Sequence, residues 1–75
     1  MNNKIESRED RFKRIASKRT NEIIDKIRIL GNTSNKSLYS YSEQDINKIF
    51  SHIQSELKKN KERFRISGQK KKFIL

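Results

Sequence analysis

The stretch Tyr41-Ser42-Glu43-Gln44-Asp45-Ile46-Asn47-Lys48-Ile49-Phe50 decides the fold of this chain, because it signals the start of a helix in several independent ways. The Ser42 hydroxyl can accept from an unpaired amide two or three residues on, and the carboxylates of Glu43 and Asp45 stand at the positive end of the helix dipole. Tyr41, just before the cap, can pack on Ile46 at the fourth helical position as a hydrophobic staple. Beyond it Ile46, Phe50, Ile53, Leu57, Asn60 and Phe64 recur at steps of four and three, with Ile49 alongside. That is helical periodicity, and it predicts a helix from about 42 to 65 with a narrow, regular apolar face.

Upstream, Asn32 to Tyr41 is rich in Asn, Ser and Thr, whose side chains compete for backbone hydrogen bonds, and it reads as a loop. Before it lies a second helical pattern. Ser7 followed by Arg8-Glu9-Asp10 is a cap with acids in the first turn. Phe12, Ala16, Ile23, Ile27 and Leu30 then fall on one stripe, with Thr20 filling the gap and Ile15 and Ile24 widening it. Gly31-Asn32 tolerates the left-handed conformation that ends many helices, so this helix is expected from about 7 to 30. Ile66 to Leu75 is expected to be a mobile basic tail, with Ser67-Gly68 as a stop and Phe73-Ile74-Leu75 as an apolar end.

Two helices of about 24 and 23 residues would each be roughly 35 Å long. Matched lengths favour an antiparallel two-helix hairpin, an all-α domain over residues 1–65 followed by a tail over 66–75. The connection is long for such a hairpin, so Leu38, Tyr39 or Tyr41 is expected to pack over its closed end. Two amphipathic helices bury too little apolar surface to be stable alone, and pairing of two copies into a four-helix bundle is the expected remedy.

The chain has 75 residues, 19 Lys plus Arg against 9 Asp plus Glu, a formal charge of +10, no Cys and a single His. It is long enough for one small domain. No apolar run approaches the ~20 residues needed to span a bilayer, and no apolar segment follows Lys4 as a secretory leader requires; a soluble, cytoplasmic protein is expected. Without cysteine there is no disulfide or thiolate metal site, and His52 alone completes neither a zinc site nor a histidine triad. No phosphate-binding glycine loop, paired carboxylates or nucleophile motif is present. The chain is read as non-enzymatic, with no cofactor and no metal.

The charge is unevenly placed. Arg8, Arg11, Lys13, Arg14, Lys18 and Arg19 crowd the start of the first helix against Glu9 and Asp10, and Lys58, Lys59, Lys61, Arg63, Arg65, Lys70, Lys71 and Lys72 stand against Glu62 alone. Four basic and five acidic residues share the span from Thr20 to Leu57. An antiparallel hairpin would bring the two basic segments to one end, where nucleic acid is the natural polyanionic partner. Arg8, Arg11, Arg14, Lys18, Lys58, Lys59, Lys61, Arg63, Arg65 and the Lys70 to Lys72 run are therefore the candidate phosphate contacts. His52 lies off the apolar stripe and reads as a surface residue. Asn60, on the seam near the helix end, reads as solvated, and Tyr39 remains open as a base-stacking residue.

Arg11-Phe12-Lys13-Arg14-Ile15-Ala16, Ile27-Arg28-Ile29-Leu30-Gly31-Asn32-Thr33-Ser34-Asn35 and the stretch from Tyr41 to Phe50 together resemble short basic helical proteins of phages, plasmids and other mobile elements of low-GC Gram-positive bacteria. The likeness covers about residues 8 to 64 and is one of overall pattern. It implies a setting in which small helical proteins act as DNA-binding accessories, regulators or inhibitors of host machinery. In architecture alone the chain is also similar to a basic helical hairpin of the large ribosomal subunit. The function expected is phosphate-contacting nucleic-acid binding by a homodimer, with DNA favoured over RNA. The alternative is a module whose apolar stripe docks on a larger nucleic-acid-handling protein.

Overall fold

The computed structural model describes residues 5–68. Among them every regular element is helical: α1 (Arg8–Gly31), a short 3-10 turn (Asn32–Ser34) and α2 (Glu43–Gly68), with no strand. The chain divides into two compact units, Met1–Tyr39 and Ser40–Leu75, each built around one long helix.

In the first unit Ser7 is extended (φ −68°, ψ 162°), and its Oγ accepts the Asp10 N–H at 3.0 Å. Its carbonyl accepts the Arg11 N–H at 2.9 Å, closing the first helical turn. The C-terminus departs from expectation. Gly31 and Asn32 both remain right-handed, and no described residue has a positive φ. The Asn32 N–H is shared between the Ile29 and Leu30 carbonyls, and the Thr33 hydroxyl donates to the Leu30 carbonyl at 2.8 Å. Tightening into a 3-10 turn and one hydroxyl thus satisfy the last carbonyls, so the left-handed cap is not needed.

The turn that follows is organised by Asn35. Its Oδ1 accepts the Ser37 N–H at 3.0 Å, while its carbonyl accepts from Leu38 and Tyr39 at 3.1 and 2.9 Å. Of the three residues expected as a cover, Leu38, Tyr39 or Tyr41, the first two are 72% and 50% exposed and Tyr41 is half-buried.

In the second unit the cap closes reciprocally. The Asp45 N–H donates to Ser42 Oγ at 3.1 Å, and the Ser42 N–H donates to Asp45 Oδ2 at 2.9 Å, the two bonds of a capping box with Asp in place of the usual Glu. Tyr41 and Ile46, the two ends of the expected staple, are both half-buried. At the other end α2 continues through Ile66, Ser67 and Gly68, three residues past the expected 65. Cations suit a helix C-terminus, and Arg65 Nε donates to both Glu62 carboxylate oxygens at 2.9 and 3.0 Å, bracing the last turns.

Among the described residues no side chain is buried. Phe12, Ile23, Ile24 and Ile27 on α1, and Phe50, Leu57 and Phe64 on α2, are exposed, while Ile15, Ala16, Leu30, Ile46 and Ile53 are half-buried. The expected core positions therefore form two stripes open to solvent. No described helix is long and apolar enough to cross a membrane.

Candidate nucleic-acid interface

A helix turns about 100° per residue, so Arg11, Arg14 and Lys18 share one face of α1, turned away from Phe12, Ile23 and Leu30. Arg8 and Arg19 both lie along one edge of that face, between it and the apolar stripe. A shallow depression on it is lined by Arg14, Ile15, Lys18, Arg19 and Glu22. Ile15, read from the sequence as widening the apolar stripe, sits instead among three cations and is half-buried there. Long basic side chains shelter an apolar neighbour with their stems while keeping their charged heads in water. This gives the basic face a firmer floor than a row of free lysines would have.

Carboxylates decide which cations are available. Arg14 donates through Nε to Glu6 Oε2 at 2.8 Å and through Nη2 to Glu6 Oε1 at 2.9 Å, a two-pronged bond from a residue eight positions earlier. Arg11 Nε lies 3.8 Å from the same carboxylate. The hydrogen bond from Arg14 holds the Glu6 carboxyl below its ordinary value of 4.5; desolvation opposes it, and the positive charges of Arg14 and Arg11 add lesser contributions in the same direction as the bond. The same bond raises Arg14 above its usual range. Glu6 was not anticipated as part of the site. It lies before the cap, outside the helix, where spacing rules for helical pairs do not apply.

Elsewhere the pairing is local. Lys13 meets Glu9 at 3.2 Å, Arg28 meets Asp25 at 3.7 Å and Lys59 meets Glu56 at 3.7 Å. Arg65 engages Glu62, which is held below the ordinary carboxylate value by that bond. Exposed pairs of this kind contribute little to stability and are weakened by salt.

The candidate contacts therefore fall into three groups. Arg11, Arg14, Lys59 and Arg65 have carboxylate partners. Arg8, Lys18, Lys58, Lys61 and Arg63 carry no ion pair among the described residues, nor does Arg19, which lines the depression and joins the site. Lys70, Lys71 and Lys72 lie outside the described residues. On α2 the helical step puts Lys58, Lys61 and Arg65 along one flank of the apolar stripe and Lys59 and Arg63 along the other.

Among the described residues no three His, Cys, Asp or Glu side chains gather as a metal site would require. No family model, curated protein or solved structure matches the chain.

Proposed function

We propose that this chain is a non-enzymatic nucleic-acid-binding accessory or regulatory protein of a mobile element, contacting DNA phosphates through Arg8, Arg11, Arg14 and Lys18 and through the basic end of α2. The observation that carries this reading is the cluster on α1. Arg8 and Arg11 occupy the first helical turns, where the dipole disfavours cations, and Arg8, Lys18 and Arg19 have no carboxylate partner among the described residues. Helix stability does not account for cations in those places, whereas a polyanionic ligand does. Antiparallel pairing of the two apolar stripes, completed by a second copy into a four-helix bundle, would join the basic segments into one phosphate-binding pole. Lys70, Lys71 and Lys72 would add to it.

The test is fluorescence-anisotropy binding to duplex DNA, single-stranded DNA and structured RNA over about 50 to 300 mM salt. Tight binding with a log-log salt slope of about −4 or steeper, abolished by joint substitution of Arg11, Arg14 and Lys18 with Gln, is the expected result. Weak binding alike for all three ligands and gone by about 150 mM salt would leave only a generic positive field and overturn the reading.

A second reading rests on the exposed stripes. Ile23, Ile24 and Ile29 of α1 are all open to solvent, as a module docking on a larger nucleic-acid-handling protein requires. Under that reading, polar substitution of Ile24 and Ile29 abolishes function while the arginine substitutions leave it intact.

A further inference from the structure

Glu6 is the carboxylate bonded to Arg14 and paired with Arg11 on the basic face, and the way it is held indicates the kind of anion the two arginines accept. Two oxygens of a planar carboxylate accept from Nε and Nη2 of Arg14, and a second guanidinium stands 3.8 Å away. The two non-bridging oxygens of a phosphodiester present the same pair of acceptors to an arginine fork. The carboxylate is presented from outside the helix. Ser7 is extended and keeps its own bond to the Asp10 N–H, so Glu6 can leave Arg14 without opening the first turn of α1.

We infer that Arg11 and Arg14 form a two-arginine site for one backbone phosphate and that Glu6 is its built-in competitor, which a nucleic acid must displace to bind. The inference rests on the nucleic-acid reading above and adds a selectivity to it. A tethered carboxylate has a high effective concentration at the site, so an isolated phosphate competes poorly. A polyanion that also engages Arg8, Lys18 and Arg19 gains enough from those contacts to push Glu6 aside. Glu6 thus raises the threshold against small anions while leaving the multivalent ligand favoured.

The experiment compares Glu6→Gln with Glu9→Gln, which makes the same change in net charge at a carboxylate paired with Lys13 and not with the two arginines. Binding to a duplex at about 100 mM salt is measured for both, and again with Arg11→Gln and Arg14→Gln present. Circular dichroism checks that helix content is unchanged. Glu6→Gln is expected to tighten binding about two- to fivefold, Glu9→Gln by clearly less, and the Glu6→Gln gain should vanish without the two arginines. Equal effects of the two substitutions, or a gain that survives loss of the arginines, would overturn the competitor role. The nucleic-acid reading would still stand if the wild-type chain binds with a steep salt slope and loses affinity on Lys18→Gln and Arg19→Gln. Failure of every variant to bind overturns both. An independent measurement is the carboxyl carbon resonance of Glu6 in the wild-type chain. Saturating duplex should move it to its position in the Arg14→Gln variant, and no movement on binding refutes displacement.

Discussion

Arg14 and Glu6 illustrate how much a single pair adds to a surface that otherwise reads as a row of charges. The Glu6 carboxyl is held below its ordinary 4.5 by the Arg14 bond, so the contact contributes above that value and is lost as pH falls through the lowered folded value. A carbon-detected titration of Glu6 should therefore give a midpoint below 4.5 in the wild-type chain and a return toward 4.5 in Arg14→Gln. A midpoint unmoved by that substitution would mean the pair does not persist in solution. Asp45 is a parallel case, lowered first by the Ser42 backbone N–H and next by the Ser42 side chain, with Lys48 adding a smaller effect. Its contribution to the α2 start follows the same sign, present above the ordinary value of 3.8 and lost as pH falls through the lowered one.

At the scale of the element, each helix owes its start to one serine. Replacing Ser42 with Ala removes the acceptor for the Asp45 N–H and should cost α2 about 1 kcal/mol of helix stability, seen as a loss of helical circular dichroism that Ser42→Asp largely spares. Equal loss in both variants would show that the cap is dispensable. Thr20 fills the gap in the α1 stripe by spending its hydroxyl on the Ala16 carbonyl at 2.7 Å. Helix starts were legible because a cap is a matter of four adjacent residues. The ends were less so. A left-handed cap and a 3-10 tightening both satisfy the last carbonyls, and Gly31-Asn32 permits either, while Arg63 and Arg65 let α2 run on to Gly68.

For the whole molecule the exposed apolar stripes are the dominant fact. Phe50, Leu57 and Phe64 recur at regular helical spacing and are all exposed, the pattern from which the proposed pairing of two copies is argued. If two copies pair as proposed, sedimentation equilibrium should report twice the 9.0 kDa chain mass. Leu57→Ser should raise the dissociation constant at least about tenfold, given the apolar surface it withdraws. A monomer at every concentration, with unchanged helix content, would shift the stripes to the second reading, in which a different protein covers them.

The sequence by itself determined that every regular element of the described residues is helical, where both helices begin, most of each apolar stripe, and where positive charge gathers along the chain. All of these depend on interactions within about one helical turn, and a turn of sequence contains them. Only the three-dimensional structure decided that Ile15 lies among the cations, that Leu38 and Tyr39 stay open, and that Glu6 folds back onto Arg14 and Arg11. Glu6 lies outside the helix that holds its partners, so its reach depends on the extended backbone at Ser7 and not on any residue spacing. The charge of the basic face was written in the sequence, whereas the carboxylate that occupies it emerged only once the chain before the helix had been placed in space.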